Sequence, residues 1–271
     1  MKYKELLLKE IDPRFKDEST SLRIYISSQN ESVQLRPGML VCPGGGYSFC
    51  SEREAEPVAY RFLSEGFNCF ILNYTVNQKY PKPHLDLALV FAYIRKHEKE
   101  FDLLPNALSL VGFSAGGHLV GSYGYLYKKL AELLNEDECL LRPFSITMGY
   151  PVITLTKEYT HEGTRDIISN NEKELLDKLE IVNHVKADYP PTFIWTTLDD
   201  DLVPSKNTMM MEEALKRNNI KHHAIIFESG WHGSSIVNRS CSRAKEVTEK
   251  MLDIRDWVSK ASDFIFELLD K

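Results

Sequence analysis

The stretch LSLVGFSAGGHLVG, residues 108–121, constrains the fold of this chain more than any other segment. An apolar run of β type precedes Ser114, a helical pattern follows it, and glycines stand two residues before and two residues after the serine. This arrangement fits the G-x-S-x-G pattern in its strand–turn–helix setting, where a strained turn lifts the hydroxyl clear of the sheet. The flanking residues must be small because the turn brings them together. The stretch therefore predicts that Ser114 is a nucleophile and that the backbone N–H of Ala115 points at the oxyanion formed when it attacks.

Strand-like and helical segments alternate along the rest of the chain, a pattern that favours a mostly parallel sheet with helices on both faces. The first strand is predicted near Leu22, and the predicted strands are residues 22–27, 38–42, 68–74, 107–114, 143–153, 191–198 and 222–228. The predicted helices are residues 56–66, 84–101, 115–134, 209–219 and an amphipathic helix from about Ser242. The chain contains no internal repeat and no low-complexity linker, and its length of 271 residues does not by itself decide between one large domain and two small ones.

Residues 154–188 differ from the rest, because they are rich in charge and poor in β-forming residues. They lie between two predicted core strands, so the insertion extends beyond a strand end. There it either forms part of a lid over a site or packs as a peripheral helix without functional contact. The sequence leaves both alternatives open.

A serine hydroxyl becomes an effective nucleophile only when a base takes its proton and a carboxylate orients that base. With a serine turn of this type, the acid and then the base follow along the chain, each after a late strand. His232, in FESGWHGSS, comes directly after the last predicted strand and is the predicted base. The other histidines lie in helices, in the insertion or at the start of a strand: His84, His97, His118, His161, His184, His222 and His223. The segment WTTLDDDLVP offers three candidates for the acid, Asp199, Asp200 and Asp201.

The segment CPGGGYSF, residues 42–49, ends an early strand in a run of glycines. A glycine N–H can approach a substrate oxygen with no side chain in the way, and the HGGG loop of esterases supplies an oxyanion donor from this place. Gly45 and Gly46 are therefore the predicted donors beside Ala115. Tyr47 is predicted to line the pocket next to the acyl group. A plain glycine turn is the alternative, but it would not explain why the run follows this strand.

Together, CPGGGY, GFSAGGHL, PPTFIWTTLDDDLVP and GWHGSS resemble the motifs of the α/β-hydrolase superfamily. More narrowly, they resemble those of acetyl esterases and acetyl-xylan-esterase-like small carboxylesterases. The resemblance extends over almost the whole chain, which implies a single domain over residues 1–271. The resemblance implies hydrolysis of short acyl esters, typically acetyl groups on sugars, through an acyl-enzyme and with no cofactor or metal. Carried over by position, Ser114 is the nucleophile and His232 the base. Asp200 is the acid because it stands three residues before the valine of a Val-Pro pair, with Asp199 as the alternative.

The chain departs from the HGGG pattern at Pro43, which stands where that loop has its histidine. The form PGGGY is itself common in the narrower esterase group. The departure therefore favours that group over the lipase-like branch.

Composition argues against several other classes of protein. The net charge of −6 gives no reason to expect a nucleic-acid or anionic-membrane partner, and no apolar run approaches the ~18–20 residues that span a bilayer. The first 15 residues lack the apolar region of a secretory signal. The five cysteines form no CxxC or Cys/His cluster, so we expect reduced thiols in a cytoplasmic protein. The expected partner is a small ester such as an acetylated sugar, and whether the chain forms a homo-oligomer stays open.

Two rival functions share part of this pattern. A small serine peptidase or aminopeptidase of the same fold has the same triad, although peptidases of this fold commonly carry an extra domain for which 271 residues leave no room. A non-catalytic binding protein would have a broken triad, whereas candidates for all three members are present in order. A cysteine hydrolase would need Cys in place of Ser114.

Overall fold

The computed structural model describes residues 1–29, 32–242 and 247–270. The strands in these residues are β1 Lys2–Leu7, β2 Ser21–Ile26, β3 Arg36–Cys42, β4 Asn68–Asn73, β5 Leu103–Phe113, β6 Ile146–Gly149, β7 Thr192–Thr197 and β8 His222–Phe227. They form one sheet in the order β1-β2-β4-β3-β5-β6-β7-β8. Six neighbouring strands run parallel to one another: β4, β3, β5, β6, β7 and β8. Strand β2 runs antiparallel to β4, and β1 runs antiparallel to β2.

The parallel pairing brings the carboxyl ends of β3, β5, β6, β7 and β8 to one edge of the sheet. In the register, Phe113 at the end of β5 pairs with Gly149 of β6, which pairs with Trp195 of β7. In open sheets of this kind, ligands bind in the crevice outside the carboxyl ends of the strands. Loops that follow these strands are therefore the place to look for a site.

Helices cover both faces of the sheet. The helices are α1 Leu8–Ile11, α2 Glu56–Ser64, α3 Lys82–Lys96, α4 Ala115–Leu134, α5 Glu138–Leu141, α6 Glu162–Ser169, α7 Lys173–Leu179, α8 Lys206–Arg217 and α9 Trp257–Leu269. Side chains alternate along β3, so Leu40 packs in a core with α3, α4 and α8, while Val41 packs in a second core with α2 and α9. The predicted architecture, a mostly parallel sheet with helices on both faces, is confirmed. Every helix in the described residues is too short or too polar to cross a membrane.

Two elements differ from the sequence-based prediction. The first strand is β1, which pairs along the outer edge of β2, rather than the strand predicted near Leu22. Its side chains are mostly exposed, so it lacks the apolar pattern by which the buried strands are found. The last helix begins at Trp257 and follows a 3₁₀ segment at Glu249–Asp256. Residues 243–246, where the predicted helix from about Ser242 would begin, lie outside the described residues.

Candidate active site

Ser114 lies in the turn between β5 and α4. Its φ of 51° and ψ of −119° cost a non-glycine residue on the order of 1–3 kcal/mol, so the surrounding structure must hold them in place. A Cβ built on Gly112 would lie 2.2 Å from the carbonyl oxygen of Gly116, and one built on Gly116 would lie 2.2 Å from that of Cys42. Only glycine fits at these two positions. The contact of Gly112 with Gly116 is the one that the steric argument from the sequence requires, whereas Gly116 is confined by the end of β3.

Ser114, His232 and Asp200 form a line of hydrogen bonds, with His232 in the loop after β8 and Asp200 in the loop after β7. The Ser114 hydroxyl lies 2.8 Å from Nε2 of His232, and Nδ1 of that ring lies 2.8 Å from Oδ2 of Asp200. The other oxygen of Asp200 accepts from the backbone N–H groups of Leu202 and Val203, and the side chain is fully buried. In such a line the ring can take the hydroxyl proton while the carboxylate faces the resulting charge. The structure thus brings together the three side chains that the sequence predicts as nucleophile, base and acid.

Asp199, the alternative acid, has a different set of contacts. It accepts from the Ser229 hydroxyl and from the Gly230 N–H, each at 2.7 Å. The hydrogen bond from Ser229 is the main reason why the pKa of Asp199 lies below its ordinary value. Asp199 therefore joins the loop after β7 to the loop that carries His232, while Asp200 faces the ring.

The glycine loop after β3 lies directly against the serine turn. A Cβ built on Gly44 would lie 3.0 Å from Cβ of Ser114. Gly45 and Gly46 have φ values of +130° and +63°, and both line the same cleft as Ser114. Ala115 is the first residue of α4, where a backbone N–H has no partner within the helix. The predicted oxyanion donors are therefore neighbours of the serine.

Tyr47 corrects one prediction. With a φ of 62°, the chain turns its side chain away from the cleft and into the core, where it is fully buried. Its hydroxyl lies 2.9 Å from Nδ1 of His118, and its ring contacts Tyr74 edge-on. The prediction that Tyr47 lines the pocket is wrong for its side chain, which instead packs in the core beneath the glycine loop.

Two helical histidines are fully buried and hydrogen-bonded. His118 on α4 contacts Tyr47 through Nδ1 and the carbonyl oxygen of Leu179 through Nε2, and burial lowers its pKa to about 4. His84 on α3 lies 2.8 Å from the Ser122 hydroxyl, and burial holds its pKa well below the ordinary value. Both side chains are packing groups of the core, as their helical positions suggest.

Sequence reasoning missed His161, which it placed only within the insertion. His161 immediately precedes α6, and its half-buried ring lines the cleft together with Ser114 and His232. A Cβ built on Gly46 would lie 3.3 Å from Cε1 of His161. No local sequence pattern predicts this contact, because it depends on how the insertion folds over the carboxyl edge of the sheet.

The cleft has a volume of about 420 Å³, in the range of small-molecule sites. Phe49 and Leu202 supply apolar surface, and Arg53 supplies a cation at the rim. No group of three potential metal ligands among His, Cys, Asp and Glu occurs in the part of the chain that the structure describes. The site is thus small, of mixed polarity and built around one activated hydroxyl.

Comparisons with known proteins return esterases and related hydrolases. A family model described as BD-FAE matches residues 22–215. The chain is 33% identical over 223 residues to Endo-1,4-beta-xylanase B of Butyrivibrio fibrisolvens, covering 79% of this chain and 35% of that protein. It is 26% identical over 237 residues to the Acetylxylan esterase of Xylanibacter ruminicola, covering 80% of this chain and 44% of that protein. The chain therefore spans less than half the length of these two relatives.

A solved structure matches over nearly the full chain. It is the acetyl ester-xyloside bifunctional hydrolase from Caldicellulosiruptor lactoaceticus, with a TM-score of 0.79 and 32% identity. The match covers 95% of this chain and 90% of that chain. The fold and the arrangement of the sheet are thus those of an ester hydrolase.

Proposed function

Because the chain belongs to the BD-FAE family, we propose that it is a serine carboxylesterase that removes short acyl groups, in particular acetyl groups on carbohydrates. The observation that carries the proposal is the line of hydrogen bonds from Ser114 through His232 to Asp200. A hydroxyl in this position can attack an ester carbonyl once its proton moves to the ring.

The reaction proceeds in two stages. The Ser114 oxygen attacks the carbonyl carbon as its proton passes to Nε2 of His232, and Asp200 faces the imidazolium that forms. The imidazolium then protonates the leaving alcohol, which departs and leaves an acyl group on Ser114. Water, deprotonated by His232, attacks this acyl-enzyme. The imidazolium returns the proton to the Ser114 oxygen as the bond from that oxygen to the acyl carbon breaks, which releases the carboxylic acid and the free serine.

The negative oxygen formed in each stage is stabilised by backbone N–H groups of Ala115 and of the glycine loop at Gly45 and Gly46. Both glycines have positive φ values, which glycine adopts without strain, and the adjacent Gly44 N–H donates to Glu54, which fixes the loop beside the serine turn. Donors fixed in advance cost no reorganisation when charge develops, and removing one such donor typically costs roughly 10²–10³ in turnover.

The acetyl-sugar part of the proposal is supported by the names of the relatives. One is an acetylxylan esterase, one a xylanase and one an acetyl ester-xyloside hydrolase. The peptidase alternative is not supported, since these relatives are hydrolases of esters or glycosides. The small cleft fits a short acyl group together with part of an alcohol.

The test of the nucleophile is Ser114→Ala assayed with 4-nitrophenyl acetate. We expect turnover to fall to the uncatalysed rate while the unfolding transition is retained. Ser64→Ala is the matched control, because Ser64 is exposed on α2 and donates only to its own helix, at the carbonyl oxygen of Arg61. Catalysis retained by Ser114→Ala would refute the serine mechanism.

The test of the substrate class compares 4-nitrophenyl esters from acetate to octanoate with acetate release from acetylated xylo-oligosaccharides. A sharp preference for acetate together with release from the sugars is the expected result. Equal rates on long acyl chains and none on the sugars would leave a general carboxylesterase and remove the acetyl-sugar assignment.

A further inference from the structure

His161 reaches the cleft from the segment between β6 and β7, on the side of the glycine loop. Its ring packs on Gly46 and lines the same cleft as Ser114 and His232. Both rings line this cleft, so they face a common space. The leaving alcohol occupies that space, because His232 must protonate it.

The hydrogen bonds of His161 fix which nitrogen carries the proton. Nδ1 accepts from the backbone N–H of Thr164 at 3.2 Å and lies 2.9 Å from the Thr164 hydroxyl, so the ring caps the first turn of α6. A neutral imidazole whose Nδ1 accepts must carry its proton on Nε2.

The ring is held in that neutral form. Burial in the cleft, followed by repulsion from His232, lowers the pKa of His161, and the opposing effect of Glu162 is the smaller one. Protonation would also place a positive charge at the amino end of a helix, where the helix dipole is unfavourable to cations. At neutral pH, His161 therefore presents an Nε2–H donor.

The Nε2–H of His161 belongs to a ring that lines the cleft. No group in the part of the chain that the structure describes accepts a hydrogen bond from Nε2, and the atom is not among the fully buried unpaired ones. The segment that carries His161 is held firmly: Asn207 on α8 accepts from the N–H groups of Ile153 and Thr154 and donates to the carbonyl oxygen of Tyr159. A fixed donor facing a cleft can select a ligand by hydrogen bonding.

We propose that His161 is a specificity-determining residue that donates from Nε2 to a hydroxyl oxygen on the alcohol half of the substrate, adjacent to the ester. The inference rests on the proposed esterase function and names what the enzyme recognises beside the acyl group: an alcohol with a neighbouring hydroxyl. A neutral donor suits an uncharged oxygen, as found on every sugar ring. The insertion, residues 154–188, then forms one wall of the cleft and helps to select the alcohol half of the substrate.

The experiment compares two esters that differ by one hydroxyl, 2-hydroxyethyl acetate and ethyl acetate, with 4-nitrophenyl acetate as an ester without hydroxyls. His161→Asn is the main variant, because Asn retains a helix cap but is too short to present a donor in the cleft. His161→Phe keeps a ring and removes both the donor and the cap.

We expect both variants to lower kcat/KM for 2-hydroxyethyl acetate roughly 3- to 10-fold, mostly through KM, as loss of one neutral hydrogen bond predicts. For His161→Asn, any loss on ethyl acetate and 4-nitrophenyl acetate should be smaller, so that the ratio of kcat/KM for 2-hydroxyethyl acetate to that for ethyl acetate falls by roughly 3-fold or more. Equal losses on all three esters, or no loss on the hydroxyl ester, would overturn the inference while leaving the esterase function intact. A wild-type protein that hydrolyses none of the three would overturn both.

Discussion

The hydroxyl of Tyr150 donates to Oε1 of Glu54 at 2.7 Å, in a buried position beside the cleft. The other carboxylate oxygen of Glu54 accepts from the N–H of Gly44 at 2.9 Å, and the Tyr150 hydroxyl accepts from the N–H of Ser235 at 3.1 Å. One carboxylate and one phenol thus join the glycine loop, the end of β6 and the loop that carries His232. These are the segments whose relative position sets the oxyanion donors against the base.

Tyr150→Phe is expected to lower both stability and turnover. The variant keeps the ring, which packs edge-on against His232, but leaves buried groups of Glu54 and Ser235 without a partner. Each such unpaired group costs about 1–3 kcal/mol. We expect a fall in the free energy of unfolding of this order, measured in urea, and a drop in kcat larger than the change in KM.

Glu54→Gln is the companion variant, since its amide oxygen can still accept from Gly44. It should lose less turnover than Tyr150→Phe. If Tyr150→Phe had the same free energy of unfolding and the same kcat as the wild type, the hydrogen bonds between these loops would contribute nothing measurable to stability or turnover.

Asp200→Asn and Asp199→Asn separate the two carboxylates that the sequence leaves open. Asn at position 200 accepts less well from Nδ1 of His232 and favours the wrong tautomer of the ring, which in comparable triads costs roughly 10⁴-fold in kcat. Asp199 contacts Ser229 and Gly230 instead, so its amide variant should lose less than about 10-fold, as expected for a loop contact. Steady-state kinetics on 4-nitrophenyl acetate measure both. Equal losses in the two variants would contradict the assigned roles.

The sequence predicts those features that depend on neighbouring residues. The turn at Ser114 needs glycines at fixed short spacings, and the buried strands carry continuous apolar runs. Both features can therefore be predicted from the sequence. The strand β1 is exposed and paired along one side, so its residues carry no comparable pattern.

What the sequence could not predict depends on contacts between distant segments. The position of His161 against Gly46 joins residues more than a hundred apart, and the hydrogen bond from Asn207 to the carbonyl oxygen of Tyr159 joins residues 48 apart. The side chain of Tyr47 could not be placed either, because a single left-handed residue reverses the direction in which it points. The local sequence pattern thus predicts which side chains react, whereas the residues that surround them depend on tertiary packing.

Gly116→Ala is expected to disrupt the serine turn. A Cβ there would lie 2.2 Å from one backbone oxygen and 2.4 Å from another, those of Cys42 and Pro43, which cannot move without shifting β3. Gly38→Ala is the matched control, because Gly38 is also buried but its Cβ would meet only the flexible ends of two leucine side chains, Leu108 at 2.8 Å and Leu103 at 3.3 Å.

We expect Gly116→Ala to lose several kcal/mol in urea unfolding, or to fail to fold, as for other overpacked cores. Gly38→Ala should lose about 1–3 kcal/mol and keep its esterase activity. A Gly116→Ala protein as stable and active as Gly38→Ala would show that the turn tolerates a side chain.

Acid should destabilise the protein through its buried histidines. The pKa of His118 is about 4 in the folded protein because of burial, whereas an unfolded histidine titrates near ~6.5. Between these values the unfolded chain binds a proton that the folded chain does not, so stability is complete above the unfolded pKa and falls as the pH decreases towards 4. The slope is about 1.4 kcal/mol per pH unit for each such residue, and His84 adds in the same direction. Urea unfolding at four pH values from 7.5 to 4.5 (roughly the range of a histidine titration) measures the slope, and His118→Gln should reduce it. An unchanged slope in that variant would mean that His118 takes up its proton without unfolding.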